Sequence, residues 1–365
     1  MSSNTINKTI IVTSTDRAFL PAACCQLCSV SENLPNKDNV SLFLVCCDVD
    51  DTDIAKAKKM FAAREMEVEI VYAAEIAEKI ETIKGRRWPR AAYLRLYFDE
   101  IFGAEIERLV YLDADTRVVT DLTPLLKVDL QGNPVGAVHD MFYYVTNRIG
   151  ERREMLFLGA DAPYLQSGVM VFDWKATLKL GLLAEARSFI EQYPERCVEA
   201  PDQDALNAIL KDRWMPLDPR WNLHESYLMY ANAHQAFIEH YTSSKPWSRK
   251  RAPAWKAASE WYRQQLADTD WTGFVERPSF VESIKLELDF LIYKSVVRLK
   301  YFLSDYTPFL LNWLGISTCR VDSPQHSIPR SRRHVELMID TEIEEAARRC
   351  PPLRPPESVL GFSSK

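Results

Sequence analysis

Short apolar runs alternate with helical stretches along the first part of this chain, and that alternation restricts the fold more than any other feature. Thr9-Ile10-Ile11-Val12-Thr13-Ser14-Thr15, Val40 to Cys47, Val68 to Tyr72 and Leu109 to Leu112 are short and mostly apolar or β-branched. Runs of this kind read as strands buried on both faces, as in a parallel sheet covered by helices. Helical patterns over about Ala18 to Ser31 and Ile54 to Arg64 fall between them. This is the spacing of βαβ units, and it predicts an α/β fold with a parallel, doubly wound sheet.

Ligands of open α/β sheets collect where strands end, so the residues that close each run carry the functional argument. The first strand runs into Ser14-Thr15-Asp16, and the second ends at Asp48. The fourth enters Asp113-Ala114-Asp115-Thr116. Two Asp at i and i+2 leaving a strand can both turn toward one hard cation, and carboxylate oxygens suit Mg²⁺ or Mn²⁺. Alone, the motif also fits a turn cap or a solvated acidic loop. No G-x-G-x-x-G or P-loop occurs at any strand-to-helix turn, so the common dinucleotide and NTPase fingerprints are missing.

Further along, Trp88-Pro89 opens a helix carrying Tyr93 to Phe98, with Pro placed where its missing N–H costs nothing. Arg95 sits there among apolar neighbours, either snorkelling to solvent or aimed at a phosphate or sugar. Val135 to Val138 is a short strand ending at His139-Asp140. Ser167-Gly168 starts another strand-like run to Asp173, and its small residues would let a ligand approach the backbone. A helix from about Lys175 to Tyr193 follows. Pro201-Asp202-Gln203-Asp204 begins the next helix, and capping explains only one of its acids. Phe237 to Tyr241 is a last strand containing His240, followed by Lys245-Pro246-Trp247.

Composition removes several classes. A net charge of −6 argues against a general nucleic-acid binder. Eight Cys occur: the adjacent pairs Cys24-Cys25 and Cys46-Cys47 and four single ones, of which Cys28 completes one C-x-x-C with Cys25 inside a helical stretch. With no second such pair a zinc site is not suggested, buried small hydrophobes account for the cluster, and the usage fits a reducing compartment. The start lacks the apolar core of a signal peptide, and no run of ~18 uncharged apolar residues is found. A chain kept in the cytoplasm is therefore expected.

Taken in order, these stretches resemble glycosyltransferase family 8, the retaining enzymes that include bacterial lipopolysaccharide hexosyltransferases and the glycogenins. The resemblance covers about residues 9 to 260. It rests on Ile11-Val12-Thr13-Ser14-Thr15-Asp16, Tyr93-Leu94-Arg95-Leu96, Tyr111-Leu112-Asp113-Ala114-Asp115 and Gln166-Ser167-Gly168-Val169-Met170. It continues with Asp202-Gln203-Asp204-Ala205-Leu206-Asn207 and with His240-Tyr241-Thr242 followed by Lys245-Pro246-Trp247.

The family implies a GT-A-type nucleotide-sugar fold: a doubly wound mixed sheet with helices on both faces. It also implies a hexosyltransferase reaction from a UDP-sugar donor, with Mn²⁺ or Mg²⁺ as cofactor. By resemblance the metal ligands are Asp113, Asp115 and His240, with Ala114 between the two acids at the donor. Ser14, Thr15 and Asp16 would lie near the uracil and ribose, and Lys245 near the diphosphate. Arg95, Ser167, Gly168, Asp202 and Gln203 would face the donor sugar. Of these, Asp202, Gln203 and Arg95 are the candidate catalytic residues, and Asp204 is a further source of oxygen at the anomeric carbon. The chain departs from the family pattern at Gln166, where Asn is usual. It also departs at Ser243, where many members carry Gly and the loop to Lys245 looks one residue short, and at Ala18, often polar.

The implied function is transfer of a hexose to a saccharide or lipid-linked acceptor, of the lipopolysaccharide or surface-glycan type. Two other readings share the residues. Asp113-Ala114-Asp115-Thr116 matches the D-x-D-x-T of haloacid-dehalogenase-like phosphatases, although that motif normally closes the first strand. A non-catalytic sugar-nucleotide binder would keep the same pocket.

The expected organisation is a glycosyltransferase domain over 1–278, a helical extension over 279–350 and a disordered tail over 351–365 with Pro351, Pro352, Pro355 and Pro356. In the extension Ile284, Leu288, Leu291, Ile292, Val296, Leu299 and Leu303 fall near helical spacing, with Lys285, Lys294, Arg298 and Lys300 interleaved. Phe309 to Leu314 adds a short apolar patch, and Arg330, Arg332 and Arg333 a basic one. This pattern suits either a helix packed on the main domain or peripheral contact with an anionic membrane on its cytoplasmic face.

Overall fold

The computed structural model of the chain describes residues 9–83, 88–145, 148–225, 235–292, 295 and 332–349. The apolar runs become β1 (Thr9–Thr15), β2 (Val40–Cys46), β3 (Val68–Tyr72) and β4 (Arg108–Leu112). A short β5 (Thr116–Val118) follows the paired acids. Later come β6 (Val135–His139), β7 (Leu165–Asp173), β8 (Met215–Pro216) and β9 (Ile238–His240). Seven strands form one sheet in the order β3-β2-β1-β4-β7-β6-β8, while β5 and β9 pair separately.

Strands β1 to β4 are parallel, as the alternation with helices requires. The second half is not. β7 runs antiparallel to β4, and β6 antiparallel to β7, so the all-parallel expectation holds only for one half of a mixed sheet. The physical reason is that the chain between β6 and β7 is a short helical excursion, Met141–Val145 and Ile149–Met155, that returns along the same strand pair. Apolar runs buried on both faces look alike in either direction.

Side chains alternate across the sheet into two cores. Ile11, Val110, Val169 and Val171 pack on one side. Ile10, Val12, Leu109, Tyr111, Met170 and Phe172 pack on the other. The helix Leu20–Glu32 is buried from Leu20 to Val30, which is why its three cysteines are free, buried thiols pushed up by desolvation.

Two expected helices are broken. The stretch from Trp174 to Gln192 stops at Lys179 and restarts at Leu182, with Gly181 in the left-handed region at φ 58°. The segment after Pro89 is a helical turn, a 3-10 stretch Leu94–Tyr97 and another turn, which buries all four residues of the 3-10 stretch, Arg95 included.

Residues 280–292 are helical and carry the first apolar positions of the extension. The helix Arg332–Arg349 buries Ile339 and Ala346, Ile339 against the main core, and His139 Nδ1 lies 3.1 Å from Glu342 Oε1. The apolar and basic positions at Lys294, Val296 to Lys300, Leu303, Phe309 to Leu314 and Arg330, and the tail from Pro351, lie outside the described residues. Among the described residues no helix is long and apolar enough to cross a membrane.

Candidate active site

The ends of β1 and β4, the start of β7, the start of the helix Pro201–Leu210 and the end of β9 open onto one cleft of about 640 Å³. Ser14, Thr15, Asp16, Arg95, Asp113, Ala114, Asp115, Ser167, Asp202, Gln203, His240 and Lys245 all line it. Residues scattered over most of the sequence thus meet at a single place.

The paired acids and the imidazole are joined by strand pairing. β5, just after Asp115, pairs with β9 so that Thr116 faces His240, and Tyr241 N–H donates to the Asp115 carbonyl at 3.0 Å. Ligand atoms of Asp113, Asp115 and His240 lie within 4.8 Å of one another. His240 Nε2 is 3.4 Å from Asp115 Oδ1 and 3.7 Å from Asp113 Oδ2.

Hydrogen bonds decide which nitrogen faces the acids. Asn222 Nδ2 donates to Gln166 Oε1 at 2.5 Å, so its Oδ1 is left to accept from His240 Nδ1 at 2.8 Å. The imidazole proton then sits on Nδ1, and the Nε2 lone pair points at the two carboxylates. Two carboxylates and a lone-pair nitrogen, oriented by a buried amide, are a donor set that fits Mn²⁺ or Mg²⁺. Gly168 lies behind this group rather than on the cleft wall. A Cβ there would stand 2.3 Å from His240 Cε1 and 2.7 Å from Asp113 Oδ2. Its lack of a side chain makes room for the imidazole and for the Asp113 carboxylate.

Arg95 ties the acids to the start of β7 and to the helix Pro201–Leu210. Its Nη2 donates to Asp113 Oδ1 at 2.6 Å and its Nη1 to the Ser167 carbonyl at 2.8 Å. Nε is 3.1 Å from Asp202 Oδ2, and the guanidinium lies 4.4 Å from the Tyr111 ring centre. Tyr111 OH donates to the same Asp113 oxygen at 2.6 Å, because positions 111 and 113 share a face of the strand. Burial works against the charge of Arg95, but Asp113, Tyr111 and Asp202 outweigh it and hold the guanidinium firmly protonated. Burial pushes the Asp202 carboxyl up, with Arg95 opposing.

Gln203 is clamped at both ends of its amide. Oε1 accepts from Ser167 N–H at 3.0 Å, and Nε2 donates to Asp140 Oδ2 at 2.7 Å. Asp140 is buried on the cleft wall, and desolvation pushes its carboxyl up to about 6. Asp204 does not serve the site. Both of its oxygens accept from the fully buried Arg152, and one also from Tyr164 OH at 2.7 Å.

At the opposite end, Ser14 Oγ lies 3.0 Å from Tyr111 OH, and Asp16 Oδ1 accepts from Phe19 N–H at 3.1 Å. Lys245 Nζ donates to Asp115 Oδ2 at 2.5 Å. Burial raises the Asp115 carboxyl, but the Lys245 ammonium beside it outweighs that and holds it well below the usual carboxylate range. The Ser243 loop is gathered by Glu225, whose carboxylate accepts from Ser244 N–H at 3.0 Å, Thr242 Oγ1 at 2.6 Å and Trp255 Nε1 at 3.0 Å. His224 also lines the cleft, and burial holds its imidazole down to about 3.

Sequence reasoning passed over Asn222, Asp140, Tyr111, Glu225 and His224. Only Asp140 and Tyr111 left a signal, as polar atoms at or beside the end of an apolar strand. The departure at Gln166 also gains a meaning, since its Oε1 accepts from both Asn222 and Gly168 N–H, the latter at 2.6 Å. The phosphatase reading fails on the same geometry. The D-x-D closes the fourth strand, and Asp113 Oδ1 is held by two donors rather than free to attack.

The sequence profile of the family described as "Glycosyl transferase family 8" matches residues 10–251. General stress protein A of Bacillus subtilis is 34% identical over 142 residues, 38% of this chain and 47% of that protein. Lipopolysaccharide 1,2-glucosyltransferase of Escherichia coli K12 is 24% identical over 67% of this chain and 74% of its own length. Glycosyltransferase GlyF of Streptococcus pneumoniae is 29% identical over 55% of this chain. The match thus spans about half the length of general stress protein A and of GlyF. In fold, the chain is similar to galactosyltransferase LgtC solved with donor and acceptor sugar analogs. The TM-score is 0.63 at 20% identity, over 73% of this chain and 99% of that one.

Proposed function

The chain belongs to glycosyltransferase family 8, and from that premise we propose that it is a retaining hexosyltransferase. It takes a hexose from a UDP-sugar and passes it to a saccharide or lipid-linked acceptor. The observation that carries this reading is the meeting of Asp113, Asp115 and the aimed Nε2 of His240 in the cleft that also holds Ser14, Asp16 and Lys245. The resemblance to a lipopolysaccharide 1,2-glucosyltransferase favours an acceptor of the lipopolysaccharide or surface-glycan type.

Asp113, Asp115 and His240 would hold Mn²⁺, or Mg²⁺ in its place. When bound there, the ion would supply Lewis-acid neutralisation of the departing diphosphate. The protein's own part is separate. Lys245, already at Asp115, is a second positive charge within reach of the leaving group. Ser14, Thr15 and Asp16, at the β1 end, take the nucleoside side. Arg95 fixes Asp113, Ser167 and Asp202 relative to one another, so metal side and sugar side move as one unit. Asp202 and the doubly held Gln203 present oxygen to the anomeric carbon, where positive charge grows as the bond to UDP breaks.

The deciding experiment is a panel of UDP-sugars with Mn²⁺, scored for UDP release with and without acceptor, alongside Asp113→Asn and Asp115→Asn. Release from one donor, abolished in both variants, supports the assignment. Wild-type turnover in either variant removes it.

Peripheral contact with an anionic membrane is part of the same proposal. Phe280, Val281, Ile284, Leu288, Leu291 and Ile292 are all exposed, Phe280 at 80%. At 3.6 residues per turn they fall within an arc of about 120°. Co-sedimentation with anionic vesicles, lost on deleting 281–365, tests it; no binding at low salt ends it.

A further inference from the structure

A second cleft, about 840 Å³, opens away from the sugar-nucleotide site, between the start of the helix Lys256–Leu266 and the turn at Arg277–Pro278. Its charged residues are Arg251, Lys256, Arg263 and Arg277 against one acid, Glu260. Glu260 is taken by Arg263 through an i,i+3 ion pair. Among the described residues no carboxylate lies within ion-pair distance of Arg251, Lys256 or Arg277. Arg251 is half-buried, and its Nε and Nη1 have no hydrogen-bond partner. Burial and the neighbouring Arg263 lower its affinity for a proton, with Glu287 only partly opposing. Like charges held together with donors unmet are costly unless an anion completes them.

We propose that this cleft binds a phosphate group, with Arg251 and Arg277 as its principal donors and Lys256 adding charge at the rim. Planar guanidinium donors match phosphate oxygens, and Ser283 supplies a hydroxyl on the same wall. A single phosphate monoester, with about two negative charges, would offset most of the charge of Arg251, Arg277 and Lys256 while leaving the Arg263–Glu260 pair intact. The site borders the exposed apolar stripe of residues 280–292, so the phosphate could come from a lipid headgroup or from solution. Residues flanking it contact the Ser243 loop, since Ala252 N–H donates to Ser244 Oγ at 3.1 Å and Trp255 Nε1 donates to Glu225.

The site is independent of the proposed transferase reaction and is tested without it. The full chain is titrated calorimetrically with inorganic phosphate against chloride at matched ionic strength. It is also floated with phosphatidylcholine vesicles made with and without phosphatidic acid. The variants are Arg251→Gln with Arg277→Gln, and the exposed Lys256→Gln alone as one that leaves the buried wall intact. Saturable phosphate binding, weakened about ten-fold or more in the double variant and less in Lys256→Gln, is the expected result. An unchanged melting temperature and circular dichroism spectrum show that the double variant is folded. Preference for phosphatidic acid vesicles over inorganic phosphate assigns the source to a lipid, and the reverse assigns it to a soluble phosphate. If the double variant does not fold, Lys256→Gln becomes the deciding variant, and its unchanged affinity would overturn the proposal. So would no saturable phosphate binding and equal flotation on both vesicle types.

Discussion

Asn222 Oδ1 accepts the Nδ1 proton of His240 at 2.8 Å, and this contact, 18 residues apart in sequence, aims Nε2 at Asp113 and Asp115. The amide can face only this way because its Nδ2 donates to Gln166. Partners that orient a ligating imidazole typically matter about 10–100-fold for metal affinity. Asn222→Ala is therefore expected to weaken Mn²⁺ binding by about that factor, while Asn222→Asp, which keeps an acceptor, loses less. Paramagnetic titration of free Mn²⁺ against the protein measures it. Equal affinities in wild type and Asn222→Ala would mean that the ring is aimed by packing alone.

Gly168→Ala tests the same group from behind. The backbone there is not in the left-handed region, so the conflict is steric: the new Cβ meets His240 and an Asp113 oxygen at distances no pair of atoms tolerates. Relief requires the ring or the strand to move. Overpacking of this kind costs about 1–3 kcal/mol, and Mn²⁺ affinity should fall with it. A variant with unchanged melting temperature and unchanged Mn²⁺ affinity contradicts the geometry.

Arg95→Lys keeps a positive charge but gives up the planar donor set that reaches Asp113, Ser167 and Asp202 together. Transfer should drop by about a hundred-fold or more, in the range of lost electrostatic positioning. Arg95→Met should unfold more readily by ~3–5 kcal/mol, the usual cost of leaving a buried partner charge alone. Chemical denaturation and turnover, measured on both variants, separate the two effects. Full turnover in Arg95→Lys would reduce Arg95 to a scaffold.

Asp140 gives a pH signature. Its carboxyl is pushed up to about 6 by burial, from an ordinary value of 3.8. Between those values the folded chain holds a proton that the unfolded chain has released. Stability from this group therefore falls as pH rises from about 4 to about 6 and is level above. The shift is worth on the order of 3 kcal/mol. Asp140→Asn removes that slope and still offers an oxygen to Gln203 Nε2. The difference in unfolding free energy between the two proteins should thus grow in favour of the variant across this window. A pH-independent difference would place the Asp140 charge in water.

The strands β1 to β4, their parallel direction and the placement of Asp113 and Asp115 at the end of β4 could all be read from residue order. Each depends on local patterning: apolar runs of strand length, helical spacing between them, and acids placed where a strand must end. The antiparallel return of β6 and β7 could not, because a run buried on both faces carries no mark of direction. Resemblance to a family put His240 beside the acids, but its aim was decided by Asn222 and Gln166, joined across 56 residues. Asp140 behaves likewise, gaining its raised carboxyl and its hold on Gln203 from burial across 63 residues. Sequence alone determines which strand ends carry carboxylates, since that is written in neighbouring residues. Only the tertiary structure decides what those groups touch, which nitrogen is protonated and which charges go unpaired. Burial and hydrogen-bond geometry arise between elements that share nothing in sequence but their final proximity.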